Sequence, residues 1–263
     1  MNSWEAALLG ILQGATEFLP VSSSGHLVIG QAILGIELPG VAFEVAVHLA
    51  TLLSVVVVYR DRLFGLALGA AKRERAAWGY LGLLALATLP AAIVGVAFRG
   101  VVEVLFDSTW VTGVAFLVTG SLLWSARSAQ RRDESKTLPG AKEAGLIGLA
   151  QAFALVPGIS RSGTTVVVAL WLGLEAREAA AFSFLMSIPT IAGAAVLEAP
   201  TLLSGAAPVS GAPLLVGAGL AAIVGVVAIR TFVAVLARKS FHRFAFYVWG
   251  LGIAVLAGVV LAT

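Results

Sequence analysis

The sequence predicts an all-α polytopic membrane protein, with about six transmembrane helices and two re-entrant helix–loop–helix segments in an inverted-topology repeat. Three observations carry that prediction. Of the 263 residues, 59% are hydrophobic and 12% charged, with mean hydropathy +0.99; soluble domains carry roughly 25% charged residues. Six segments are apolar over the roughly 20 residues that a spanning helix needs. Two further apolar segments, Leu8–Gly30 and Gly148–Gly173, are interrupted by polar side chains and a proline.

The six expected spans are Val41–Arg60, Trp78–Phe98, Trp110–Arg127, Ala180–Leu197, Leu214–Ala237 and Phe244–Ala262. The interrupted segments, LLGILQGATEFLPVSSSGHLVIG and GLAQAFALVPGISRSGTTVVVALWLG, break at Pro20 and Pro157. Arms of roughly 12 to 15 residues are too short to cross, so each segment reads as re-entrant rather than as a kinked span. The 29 glycines suit closely packed membrane helices, where small residues let backbones approach. Pro90 and Pro189 are expected to kink their helices, and Phe182-Ser183-Phe184 to serve packing. Zero cysteines exclude disulfides and thiolate metal sites. The net charge of +3 is no nucleic-acid signature, because the basic residues cluster between apolar spans. The N-terminus, MNSWEAALLGILQ, lacks a basic n-region and is not read as a removable signal peptide.

Those basic residues set an orientation. The Tyr59–Ala77 connection holds Arg60, Arg62, Lys72, Arg73 and Arg75. The Arg127–Glu143 loop holds Arg127, Arg131, Arg132, Lys136 and Lys142, and the last short loop Arg238, Lys239 and Arg243. In the alternate connections, Arg99 stands beside Glu103 and Asp107, and Glu198–Pro213 has no Lys or Arg. The three basic loops are therefore expected in the cytoplasm and both termini outside.

An offset of 138 carries Gln13 to Gln151, Ser22 to Ser160, Ser24 to Ser162 and Gly25 to Gly163. The expected single transmembrane domain, residues 1–263, thus divides into repeat one at about 1–130 and repeat two at about 139–263. Each unit is one re-entrant pair and three spans, and an odd number of spans inverts the second unit. The two loop tips then meet near the midplane, as in many transporters.

The second tip, PGISRSGTT at 157–165, suits an anion such as a phosphate. A helix starting near Ser162 aims free N–H groups at the loop. Ser160, Ser162, Thr164 and Thr165 add hydroxyls, and Arg161 offers a planar fork for phosphate oxygens. The competing structural reading has Arg161 satisfied by backbone carbonyls or by Glu17. In the first tip, Gln13 and Glu17 are four apart on one helix face and can hold a divalent cation, Mg²⁺ or Ca²⁺, through oxygen. Ser23 and His26 are three apart, so the imidazole can activate the hydroxyl or act itself as nucleophile or acid/base. Ser22 and Ser24 complete the expected phosphate contacts. Glu44 and His48 read either as a supporting pair beside the site or as an interfacial i, i+4 pair. The set points to phosphoryl transfer by positioning and charge neutralisation.

At QGATEFLPVSSSGH (13–26), FEVAVHLAT (43–51), PGISRSGTT (157–165) and FSFLMSIP (182–189), the chain resembles the bacterial undecaprenyl-diphosphate phosphatase, or bacitracin-resistance, family. The resemblance runs through essentially the whole chain. It implies removal of the terminal phosphate from undecaprenyl diphosphate, a divalent-cation requirement, and an outward-opening site in the bacterial plasma (inner) membrane. It further implies Glu17 as the catalytic or metal-linked acid, Ser23 and His26 as the nucleophile or proton-transfer pair, and Arg161 as the phosphate-binding arginine. Ser160 and Thr165 match accessory phosphate contacts. Gln13 stands where some members carry a first glutamate, which leaves Glu17 as the motif's carboxylate. The expected partners are a polyprenyl diphosphate lipid and membrane lipid, with no nucleic acid and with a homodimer left open. The rival reading, favoured by the repeat alone, is a polyprenyl-phosphate flippase or other secondary transporter.

Overall fold

The computed structural model describes residues 1–36, 42–106, 108–130, 136–203 and 211–262. The described chain is helical: α1 (Ser3–Phe18), α2 (Ser23–Leu34), α3 (Ala42–Val58), α4 (Arg60–Ala71), α5 (Arg75–Ala97), α6 (Arg99–Phe106), α7 (Thr109–Ala129), α8 (Ala141–Phe153), α9 (Arg161–Trp171), α10 (Ala176–Leu203), α11 (Gly211–Ala237) and α12 (Phe244–Ala262).

Both interrupted segments fold as helix–break–helix. Asn2 caps α1, accepting at Oδ1 from the Glu5 amide at 2.9 Å while Glu5 Oε2 accepts from the Asn2 amide at 2.7 Å. Pro20 disfavours helical backbone at Leu19, and α1 ends at Phe18. The second pair breaks over 154–160, where Gly158 takes φ +93° and Ser160 caps α9 by accepting from the Gly163 amide at 3.1 Å. At Gly158 an added Cβ would also fall 2.6 Å from the Thr112 carbonyl oxygen.

Among the described residues, five helices are long and apolar enough to cross a membrane: Arg75–Ala97, Thr109–Ala129, Ala176–Ala199, Gly211–Ala237 and Phe241–Leu261. The expected span Val41–Arg60 is observed as α3, after which the chain bends by 81° into α4; Val41 itself lies outside the described residues. Counting the bent pair as one, the described residues hold up to six spans. α4 corrects the expectation of a plain connection over Tyr59–Ala77. Its arginines mark a membrane boundary but do not prevent a helix, and Leu63 and Leu66 pack against the core while Phe64 is exposed. Likewise α6 fills a connection that reads as loop; Arg99 bonds Glu103 at 2.8 Å one turn on and Glu198 of α10 at 2.9 Å. Glu178 pairs with Arg62 at 2.7 Å and ties α10 to α4.

α1 packs along α11 and α8 along α5; α7 pairs with α12, and α3 with α11. The first two contacts are close because glycines sit in them: Gly10 of α1 faces the Gly217 backbone, and Gly148 of α8 faces the Ala87 carbonyl. Between the helices runs a chain of buried rings, Phe18–Phe184 at 5.4 Å, Phe184–Phe232 at 5.2 Å and Phe232–Phe241 at 5.5 Å. This core lies directly under the end of α1 and so fixes where the first break emerges.

Candidate active site

Glu17 is the hub. It sits in the last turn of α1, 7% exposed, and its two oxygens receive groups from four helices. Oε1 accepts from Arg161 Nη2 at 2.6 Å. Oε2 accepts from Ser23 Oγ at 2.5 Å and from Gln13 Nε2 at 3.1 Å, and His48 Nε2 stands 3.7 Å away. The breaks after α1 and before α9 deliver Ser23 and Arg161 to the same carboxylate, each as the first residue of its helix. A carboxylate this buried is held in charged form by such partners.

Arg161 thus meets both sequence readings at once. It is satisfied by Glu17 through Nη2, yet Nη1 is buried with no hydrogen-bond partner among the described residues. The same holds of Gln13 Oε1 and Thr164 Oγ1. Three unmatched groups beside one ion pair mark a place where a ligand brings the missing partners. Their chemistry is specific: two donors suited to anionic oxygen and one acceptor suited to a cation.

The other expected residues divide. Ser22 and Ser24 lie with their hydroxyls 3.2 Å apart, and Ser160 Oγ is 3.3 Å from Ser162 Oγ. Ser162 also donates to the Leu19 carbonyl at 3.2 Å, stitching the second break to the first. Thr165 donates to the Arg161 carbonyl at 2.7 Å and bonds Ser183 Oγ at 2.7 Å, so its hydroxyl is committed to the fold. His48 reaches Glu17, whereas Glu44 turns its carboxylate to Gln31 Nε2 at 2.9 Å and clamps α3 to α2. His26 does not pair with Ser23. Its Nδ1 lies 2.8 Å from the Ser22 carbonyl oxygen and its Nε2 2.8 Å from Tyr247 Oη.

Two residues unremarked in the sequence shape the site. Thr119 of α7 donates to the Gly158 carbonyl at 2.8 Å and accepts from the Ser160 amide at 3.1 Å, fixing the loop that carries Arg161. Tyr247 of α12 bonds His26. Neither carries a local signal: a threonine and a tyrosine in apolar helices read as packing.

Among the described residues, no three His, Cys, Asp or Glu side chains gather into a metal site. The oxygens of Glu17 and Gln13 nevertheless fit a hard cation of the Mg²⁺ kind, which takes one or two protein ligands and completes its shell with water and phosphate. The partnerless Gln13 Oε1 is the observation that makes the fit.

Across residues 6–254 the sequence matches the bacitracin resistance protein BacA family. The chain belongs to that family. It is 42% identical to the undecaprenyl-diphosphatase of Rubrobacter xylanophilus, with 98% of each chain covered. It is 39% identical to that of Carboxydothermus hydrogenoformans, with 97% of each covered, and 41% identical to that of Alcanivorax borkumensis, with 97% and 98% covered. As a BacA-family protein it is a multi-pass membrane protein of a bacterial family, and the Glu17 hub lies where three of the motifs behind the family resemblance converge.

Proposed function

We propose that this BacA-family chain hydrolyses undecaprenyl diphosphate to undecaprenyl phosphate and inorganic phosphate, returning the lipid carrier to peptidoglycan synthesis. The bond from Ser23 Oγ to Glu17 carries the chemical reading, since a transporter needs the arginine and hydroxyls but not a hydroxyl poised on a carboxylate. Ser23 Oγ attacks the terminal phosphorus and its proton passes to Glu17. The bridging P–O bond breaks and undecaprenyl phosphate leaves. Water then attacks the phosphoserine, giving one proton to His26; as the P–Oγ bond breaks, Glu17 returns its proton to Ser23 Oγ and phosphate is released.

Arg161 turns Nη1 to the terminal phosphate, with Thr164, Ser160, Ser162, Ser22 and Ser24 around it. Glu17 and Gln13 hold the divalent cation, which when bound offsets phosphate charge. His48 Nε2 lies 3.7 Å from Glu17 Oε2, and its Nδ1 donates to the Glu44 backbone carbonyl at 2.7 Å. Arginine donors aimed at phosphate oxygens are worth several orders of magnitude in phosphoryl transfer.

The architecture is read as two units, about 1–130 and 139–263, of inverted topology, with the site opening outward. In support, α1 and α8 begin at Ser3 and Ala141, and α2 and α9 at Ser23 and Arg161, each pair 138 apart. The packing is reciprocal as well, α1 on α11 and α8 on α5. Reporter fusions in the 127–143 loop test the orientation; a cytoplasmic signal is expected.

The function is tested by phosphate release from undecaprenyl diphosphate in detergent, with and without a chelator. Vectorial transport is absent there, so release that the chelator abolishes is expected. Binding of the lipid without release would replace the hydrolase by the flippase.

A further inference from the structure

His48 of α3 stands beside Glu17 without bonding it. Its Nδ1 lies 2.7 Å from the Glu44 backbone carbonyl oxygen, which can only accept, so Nδ1 carries a proton. Its Nε2 lies 3.7 Å from Glu17 Oε2. That is too long for a hydrogen bond, which an N–H aimed at a carboxylate closes to about 2.8 Å. Glu17 also has its counter-charge already, since Arg161 Nη2 holds Oε1 at 2.6 Å. In the neutral ring Nε2 is therefore a lone pair turned to a carboxylate, two electron-rich atoms with no proton between them. An imidazole whose far N–H is held by a backbone carbonyl is the arrangement found at metal-bound histidines.

A third acceptor belongs to the same place. Gln13 donates Nε2 to Glu17 Oε2 at 3.1 Å and leaves Oε1 buried without a partner among the described residues. Turning the amide over exchanges the two atoms: it withdraws a donor from Oε2 and brings Oε1 beside it. Such a group of oxygen and nitrogen acceptors is stable around a cation and repulsive without one. The His48 side chain is 30% exposed against 5% for Glu17, so it also lines an approach to the carboxylate.

We propose that His48 is the nitrogen ligand of the cation that Glu17 and Gln13 hold, and that the site prefers a first-row transition ion over Mg²⁺ or Ca²⁺. The proposal rests on the reading that Glu17 and Gln13 bind a divalent cation. An all-oxygen pair suits the hard ions, whereas an imidazole nitrogen shifts affinity toward the series that runs from Mn²⁺ to Zn²⁺. The neutral amide of Gln13 adds no charge to the set, and the nitrogen supplies a third protein ligand in its place.

Mn²⁺ is the probe. The full-length protein in detergent, stripped of cations by a chelator, is titrated with Mn²⁺ and, in competition, with Mg²⁺. Pulsed EPR reads any ¹⁴N nucleus coupled to the bound Mn²⁺. The wild type is expected to bind Mn²⁺ about tenfold more tightly than Mg²⁺, with an imidazole nitrogen bonded to it. His48→Gln is expected to lose the nitrogen coupling and about tenfold or more in Mn²⁺ affinity. Its Mg²⁺ affinity is expected to stay within about threefold, which shows that the site is folded. The other two histidines of the chain are His26 and His242, and their Gln variants are expected to keep the coupling. A wild type without nitrogen coupling, or coupling that persists in His48→Gln, overturns the proposal. Glu17→Gln separates the layers. If it abolishes Mn²⁺ binding while His48→Gln binds as the wild type does, the cation reading stands and the nitrogen ligand falls. Mn²⁺ binding unchanged in both, or no saturable binding in the wild type, removes the cation reading and this proposal with it.

Discussion

Arg161 Nη2 lies 2.6 Å from Glu17 Oε1, although 144 residues separate the two in sequence. The pair closes one helix break against the other, and each partner is mostly buried, with side-chain exposures of 15% and 5%. Removing one partner leaves a buried charge uncompensated, which costs about 3 to 5 kcal/mol. Arg161→Met and Glu17→Gln are each expected to lower the unfolding temperature in detergent. The double variant is expected to recover much of that loss while staying inactive. Additive losses in a double-mutant cycle would show that the pair is not coupled.

Ser23 and Ser24 are adjacent but differently bonded, Ser23 to Glu17 and Ser24 to Ser22. Ser23→Ala is expected to lose phosphate release by roughly a thousandfold or more, as nucleophile deletions do. Ser24→Ala is expected to stay within about tenfold, the value of one neutral hydrogen bond. Comparable rates for the two variants would remove the nucleophile assignment.

Gln13 can be returned to glutamate. A second carboxylate beside Glu17 raises the negative charge available to a divalent cation, so Gln13→Glu is expected to lower the Mg²⁺ or Ca²⁺ concentration for half-maximal activity by about tenfold. Gln13→Ala removes the partnerless Oε1 and is expected to raise it. Cation titrations of phosphate release read both changes, and identical titration curves would place the cation elsewhere.

Thr119→Val is nearly isosteric and deletes the hydroxyl that serves the Gly158 carbonyl and the Ser160 amide. A buried group left unsatisfied costs about 1 to 3 kcal/mol. The variant is expected to unfold at lower temperature and to weaken phosphate handling through Arg161, read as a raised KM. Gly158→Ala is expected to be worse, because it adds backbone strain at φ +93° and a clash with Thr112.

Much of this was legible in the sequence, since it depends on local pattern. Apolar length placed five spans, the prolines placed both breaks, and spacing put Gln13 and Glu17 on one face. The 138 offset matched the starts of the paired helices for the same reason. What escaped was tertiary. Basic residues after α3 mark a boundary whether the chain then loops or, as here, turns by 81° into another helix. The spacing of Ser23 and His26 says that they are near neighbours, but not that Glu17 captures one and Tyr247 the other. Glu44 and His48 share a helix face, yet their side chains serve different neighbours, Gln31 and Glu17.

In the proposed reaction Glu17 and Arg161 form one phosphate-processing centre. Its most direct test is the rate of phosphate release from undecaprenyl diphosphate by purified Glu17→Ala and Arg161→Ala proteins in detergent with saturating Mg²⁺. Loss of roughly a hundredfold or more in both is the predicted result, the scale of deleting a transition-state contact. Near-wild-type turnover in both would contradict the account.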